Sequence, residues 1–131
     1  MTLLLDSQAL VWWREGNRKL GPRARAAISQ DAFGVLVSAA SAWELAIKCA
    51  SGKLTLRQPV ERWLPAALDG SGFATLTVTV EHALAVATLP FHHADPFDRL
   101  LIAQAQLEHL TIVTADSAFE DYDVKLLDAR Q

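Results

Sequence analysis

Short apolar segments alternate along this chain with longer segments of helical pattern. The apolar segments cover residues 2–5, 34–38, 73–78, 111–115 and 124–128, and they are strand candidates by length and composition. Helices are predicted between them, at residues 7–15, 22 to about 31, 42–51, 59–68, 81–88 and 96–109. Strands that alternate with helices favour an α/β fold with a mostly parallel sheet, because parallel strands need long crossover connections.

Length and composition indicate one globular domain covering residues 1–131. The chain is 51% hydrophobic and 21% charged, so it can bury a core and is not of the disordered class. No apolar run approaches the roughly 20 residues of a membrane helix, and Asp6 interrupts the apolar start before a secretory signal could form. The one cysteine, Cys49, cannot build a disulfide framework. We therefore expect a soluble, cytoplasmic protein.

Charge is unevenly distributed although the net charge is only −3. Residues 1–62 carry nine Lys or Arg and five Asp or Glu, whereas residues 63–131 carry three and ten. The basic half could meet a polyanion beside an acidic, metal-holding half. It could equally be an ordinary solvated helical surface, and composition does not separate these interpretations.

Four acidic residues far apart in sequence are predicted to meet at one edge of the sheet. Asp6 and Asp116 directly follow the first strand and the 111–115 strand, so both lie at the carboxyl edge. Glu44 and Asp98 lie in the first turns of two predicted helices, and the helices of a parallel sheet begin near that same edge. Ligands of open α/β sheets bind outside this edge, so the four acids form the candidate site.

The chemistry of such a cluster indicates a metal-dependent hydrolase. Converging carboxylates raise one another's pKa, so they need a cation to stay ionised together. Oxygen ligands suit Mg²⁺ or Mn²⁺, and such ions activate water and hold phosphate oxygens. The candidate activity is therefore hydrolysis of phosphodiester bonds.

Each acid also has a structural alternative. Asp6 and Asp116 could cap the turns that follow them. Glu44 ends a sequence, residues 41–44, that matches a capping box, so it could reach back to a helix N-terminus. Asp95 precedes Pro96 and is expected to be a helix N-cap rather than a metal ligand.

Five other side chains near these motifs have possible roles. Arg99 could contact phosphate, but an ion pair with Asp95 or another acid is the favoured interpretation. His92 and His93 could touch RNA or a metal-bound water, but as loop residues they are expected to be solvated. Trp12 and Trp13 point about 100° apart on one helix, so one is expected in the core and the other near a surface contact.

Several motifs resemble the PIN-domain toxins of bacterial toxin–antitoxin pairs, the VapC-like proteins. The most specific is Asp-Pro-Phe-Asp-Arg at residues 95–99, followed by Trp-Glu-Leu-Ala-Ile-Lys at 43–48. Leu-Leu-Leu-Asp-Ser at 3–7, Gly-Lys-Leu at 52–54, Thr-Ala-Asp at 114–116 and Phe119 also match. The resemblance covers nearly the whole chain, in order.

This resemblance implies a PIN-like three-layer fold, in which helices flank a central mostly parallel sheet. It implies an endoribonuclease that uses Mg²⁺, with Mn²⁺ as an alternative, forms a homodimer, and is inhibited by a cognate antitoxin protein. Asp6, Glu44, Asp98 and Asp116 match the family's acidic quartet, with Asp6 and Asp98 as the main ligands. The family often has Asp-Thr-His after the first strand. Here Ser7 keeps a hydroxyl, but Gln8 replaces the histidine.

Other classes fit the sequence less well. A haloacid-dehalogenase-like phosphatase needs a second Asp two residues after the first, where this chain has Gln8. The sequence also lacks the motifs of a receiver domain, of a nucleophile elbow and of a phosphate-binding loop. A catalytically silent PIN-like module that only binds RNA or protein remains the alternative, and the intact quartet argues against it.

Overall fold

The computed structural model describes residues 2–30 and 34–131. Its five strands are β1 (Leu3–Leu5), β2 (Leu36–Ser38), β3 (Ala74–Leu76), β4 (Thr111–Thr114) and β5 (Lys125–Asp128). Its six α-helices are α1 (Ser7–Glu15), α2 (Pro22–Gln30), α3 (Ala39–Ala50), α4 (Val60–Ser71), α5 (Val80–Ala85) and α6 (Pro96–Glu108). Two 3₁₀ turns, Val86–Thr88 and Ser117–Asp121, complete the elements of this described part.

The strands form one sheet in the order β3-β2-β1-β4-β5, and all four neighbouring pairs are parallel. The order runs one way from β1 to β3 and the other way from β1 to β5, so the direction of winding changes between β1 and β4. A crevice opens at such a point outside the carboxyl ends of the strands. Asp6 follows β1 directly, and Asp116 lies two residues after the end of β4.

Helices cover both faces of the sheet, because residues alternate sides along each strand. Leu3 and Leu5 pack with α1, α2 and α4 in one core cluster, whereas Leu4 packs with α6 in the other. All three leucines are fully buried. The α/β, three-layer fold predicted from the sequence is therefore confirmed.

The predicted boundary of α3 is wrong by three residues. The helix begins at Ala39 because Ser38, the last residue of β2, accepts a hydrogen bond from the Ala40 N–H at 3.0 Å and acts as the N-cap. Glu44 therefore lies too far into the helix to complete a capping box. Gly52 follows just beyond the helix with a φ of 77°, a left-handed conformation that glycine adopts readily.

The predicted end of α4 at residue 68 is also wrong, because this helix continues to Ser71 and is capped by Gly72 in the left-handed region. Within this last turn Gly70 lies against Arg14, where a Cβ would be 2.7 Å from the guanidinium. Smaller differences shorten β3 to three residues and end α5 at Ala85. The predicted end of α2 at Asp31 lies outside the described residues.

Candidate active site

All four predicted acids line one cleft of about 520 Å³ at the carboxyl edge of the sheet. Asp6 and Glu44 are buried, Asp98 is partly buried and Asp116 is exposed. The structure therefore brings together the residues that the topology argument placed on one rim. The cleft walls also include Ser7, Lys48, Asp95 and Arg130.

Asp6 combines a capping role with a position in the cleft. One carboxylate oxygen, Oδ1, accepts a hydrogen bond from the Ala9 N–H at 2.8 Å at the start of α1. Burial raises the pKa of Asp6 to about 6, and the negative charges of Glu44 and Asp116 add to this rise. Hydrogen bonds from Thr114 and Ala9 act in the opposite direction on the pKa. Capping and a site role are thus compatible for this residue.

Glu44 is held by two side chains rather than by a helix end. The Ser7 hydroxyl donates to Oε1 at 2.8 Å, and the Lys48 ammonium lies 3.2 Å from Oε2. Lys48 is one helical turn after Glu44, so the two side chains pair within α3. Ser7 directly follows Asp6, so its hydrogen bond ties the start of α1 to the second buried carboxylate.

Asp95 and Asp98 have the different positions that the sequence predicted. The Asp95 Oδ1 accepts hydrogen bonds from the N–H groups of Phe97 at 2.8 Å and Asp98 at 3.1 Å, so Asp95 is the N-cap of α6. Asp98 instead projects into the cleft. The pKa of Asp98 is raised to about 7, chiefly by burial and also by the charges of Asp95, Glu44 and Asp6, against the hydrogen bond to His93, which lowers it.

Asp116 caps the 3₁₀ turn at Ser117–Asp121 through a 2.9 Å hydrogen bond from the Ala118 N–H to its Oδ1. The backbone of Asp116 is also held, because the Thr114 hydroxyl oxygen accepts a hydrogen bond from the Asp116 N–H at 3.0 Å. The capping alternative is thus correct for Asp116, and it coexists with a place on the cleft wall.

The ion pair expected of Arg99 is wrong. The buried guanidinium donates instead to the carbonyl oxygens of Pro90 at 2.9 Å and Val86 at 3.1 Å, and to the Tyr122 hydroxyl at 3.2 Å. These carbonyls belong to the segment between α5 and α6, so Arg99 anchors that segment. Its neighbour in sequence, Asp98, lines the cleft instead.

His93 is the site residue for which the sequence analysis favoured the wrong interpretation. Its Nε2 lies 2.8 Å from Asp98 Oδ2, and its side chain is only 24% exposed, so the expectation of a solvated loop residue is wrong. Donor atoms of His93, Asp98 and Asp116 all lie within 4.8 Å of one another. No other three side chains of the described residues with His, Cys, Asp or Glu donors come that close.

Arg130 was missed, because its place depends on β5 returning beside β4. The spacing of Arg130 follows no helical or strand period, so no sequence signal indicates it, whereas the position of His93 before the Asp-Pro turn allows a contact with a metal-bound water. Among the tryptophans, Trp12 is buried and lines the cleft, and Trp13 is half-buried and donates to Ser71 at 3.0 Å. Trp43 of α3 is instead the exposed one, at 64%.

No helix in the described part of the chain has both the length and the apolar character needed to cross a membrane.

Comparisons with known proteins agree with this geometry. A family profile described as PIN domain matches residues 3–125. The chain is 34% identical over 115 residues to Ribonuclease VapC22 of Mycobacterium tuberculosis, and the alignment covers 88% of this chain and 87% of that protein.

Two solved structures show the same fold at lower sequence identity. FitAcB from Neisseria gonorrhoeae aligns with a TM-score of 0.70 and 21% identity, over 98% of each chain. VapBC2 from Rickettsia felis, bound to a DNA fragment from their promoter, aligns with a TM-score of 0.72 and 15% identity, over 97% of this chain and 98% of that chain. The family profile and the similarity to Ribonuclease VapC22 confirm the resemblance that the motifs indicated. The chain belongs to the PIN-domain family, as a VapC-like member.

Proposed function

We propose that this protein is a Mg²⁺- or Mn²⁺-dependent endoribonuclease, the toxin of a type II toxin–antitoxin pair, with residues 1–131 as one nuclease domain. The observation that carries the proposal is the convergence of Asp6, Glu44, Asp98 and Asp116 on one cleft. The substrate class comes from the relative named Ribonuclease VapC22, with which the chain shares 34% identity.

The donor set of the cleft suits a hard divalent cation. Four carboxyl groups supply oxygen ligands, and burial disfavours the charged forms of Asp6 and Asp98, as their raised pKa values near 6 and 7 show. A cation among them would compensate negative charge that the protein alone stabilises poorly. Asp6 and Asp98 would be the main ligands, and Glu44 and Asp116 would complete the site. When bound, such an ion activates water and neutralises phosphate charge.

The chain's own groups fix this arrangement and extend it toward a polyanion. The Ala9 N–H holds one oxygen of Asp6, and Ser7 and Lys48 hold the two oxygens of Glu44. Lys48 and Arg130 place two cationic side chains on the cleft wall, where they can attract an RNA phosphate.

The test is cleavage of a mixed RNA pool by purified wild type and by Asp6→Asn, each with Mg²⁺, with Mn²⁺ and with excess chelator. We expect cleavage by wild type with either metal, none with chelator, and a loss of at least about a hundredfold in Asp6→Asn, since even groups that only support metal ligands contribute 10–100-fold. Binding of RNA without cleavage under all conditions would indicate the silent module instead. Activity that survives chelation would overturn the metal-dependent mechanism.

Partners follow from the same assignment. We propose a cognate antitoxin, because structural neighbours include a toxin–antitoxin complex from Klebsiella pneumoniae. We also propose a homodimer, since α3 exposes Trp43 and Ile47, and α5 exposes Val80 and Leu84. Exposed apolar side chains of this size commonly mark protein contacts. Light scattering at micromolar concentration distinguishes this dimer from a monomer.

We place the protein in the cytoplasm, where its RNA substrate is found. Its one cysteine, Cys49, is a free thiol, which fits a reducing compartment.

A further inference from the structure

The tightest group of potential ligand atoms among the described residues joins two acids of the cleft, Asp98 and Asp116, to a nitrogen. His93 Nε2 lies 2.8 Å from Asp98 Oδ2, and both lie within 4.8 Å of a carboxylate oxygen of Asp116. The three side chains come from three places: the segment before α6, the first turn of α6, and the loop that follows β4. Side chains from separate elements therefore converge on one point, as metal ligands in folded proteins commonly do.

The dimensions of this group match those of one coordination sphere. Around an octahedral ion with bonds of about 2.1 Å, adjacent donors lie about 3 Å apart and opposite donors about 4.2 Å apart. The 2.8 Å separation between His93 and Asp98 is close to that of adjacent donors. A carboxylate oxygen of Asp116 lies within 4.8 Å of the other two donor atoms, which is compatible with a position opposite or adjacent to them around the ion.

The His93 backbone is held in place by buried groups. The N–H groups of His92 and His93 both donate to the Tyr122 hydroxyl oxygen, at 3.1 and 2.9 Å. Arg99 donates to the same oxygen and to the Pro90 carbonyl. Tyr122 and Arg99 are buried, so this segment rests on the core and holds the imidazole beside Asp98.

We propose that His93 is a nitrogen ligand of the divalent ion held by Asp98 and Asp116, and that it makes this site prefer Mn²⁺ over Mg²⁺. Imidazole is a good ligand for first-row transition metals, whereas Mg²⁺ keeps oxygen ligands and its waters. The inference rests on the proposed function because it concerns the same cleft. It replaces the all-oxygen donor set that the sequence suggested with a mixed one.

The test measures metal binding without RNA. Metal-free wild type, His93→Gln and the matched control His92→Gln are titrated with Mn²⁺ and with Mg²⁺ by calorimetry at one fixed pH. His92 is a suitable control because it is the adjacent histidine and is exposed, with its ring packed on Tyr122 at 5.2 Å between centroids. We expect His93→Gln to lose at least about tenfold in Mn²⁺ affinity and less than about threefold in Mg²⁺ affinity, with His92→Gln unchanged.

A spectroscopic measurement on wild type keeps the proposal testable if His93→Gln does not fold. Pulsed electron paramagnetic resonance of bound Mn²⁺ should show coupling to an imidazole nitrogen in wild type and His92→Gln. Absence of that coupling, or an equal loss of Mn²⁺ and Mg²⁺ affinity in a folded His93→Gln, would overturn the proposal and leave His93 as a residue that only orients Asp98. If wild type shows the nitrogen coupling but cleaves no RNA, the proposed function fails and this inference stands.

Discussion

Asp98→Asn should abolish RNA cleavage while making the metal-free protein more stable. Asp98 is a partly buried carboxyl whose pKa is raised to about 7, first by burial and then by the charges of Asp95, Glu44 and Asp6. A neutral amide of the same shape removes a charge that the folded state stabilises poorly, but it also removes a ligand oxygen. We expect a loss of at least about a hundredfold in cleavage rate and a higher melting temperature in chelator.

Asp95→Ala is the matched control, because the two acids are three residues apart at the start of the same helix. Asp95 accepts two backbone hydrogen bonds as the N-cap of α6, and its loss should cost roughly 0.5–2 kcal/mol of stability. Much of the cleavage activity should remain. Thermal melts without metal and cleavage assays with it measure both variants. If Asp95→Ala is stable but inactive, and Asp98→Asn is active but unstable, the two roles are reversed.

The metal-free protein should lose stability as the pH rises from about 4 to about 7. The pKa of Asp6 is raised from 3.8 to about 6, and that of Asp98 from 3.8 to about 7. In this window the folded state holds protons that the unfolded state has released, so the free energy of unfolding falls with pH. At about 1.4 kcal/mol per pKa unit, the two carboxyls together should account for a loss of up to roughly 7 kcal/mol, most of it complete by pH 8.

Urea denaturation in chelator at pH 5 and pH 8 measures this difference. The Asp6→Asn, Asp98→Asn double variant is the control, because it keeps every other titrating group and should show a flatter dependence. Mn²⁺ at a hundred times its dissociation constant should restore about 2.7 kcal/mol at pH 8. Equal pH dependence in wild type and the double variant would contradict the assignment of the raised pKa values to these two residues.

The sequence predicted the sheet and the rim because those features depend on local patterns. Short apolar segments identified the strands, and Asp6 and Asp116 follow two of them directly, so their place at the carboxyl edge required no knowledge of side-chain packing. Asp95 as the N-cap of α6 followed from Pro96 in the same way. These predictions used only neighbours in sequence and the general geometry of parallel sheets.

Features that depend on contacts between distant segments were not predicted. Arg99 could not be placed from its neighbours, because its partners Val86, Pro90 and Tyr122 come from the segment before α6 and from the end of the second 3₁₀ turn. His93 meets Asp98 only because that anchored segment turns back toward the cleft. The start of α3 was misplaced because Ser38 serves both as the last residue of a strand and as a helix cap.

The most direct test of the central claim is the position of Mn²⁺ in crystals of the purified protein, measured by anomalous scattering. We predict a peak inside the cleft beside Asp98, with ligand bonds of about 2.2 Å and with Asp6, Glu44 and Asp116 within reach directly or through water. The same measurement on Asp98→Asn should show a weaker peak or none. A strong wild-type peak bound elsewhere, or none in the cleft at saturating Mn²⁺, would contradict the assignment of these four acids as a metal-dependent active site.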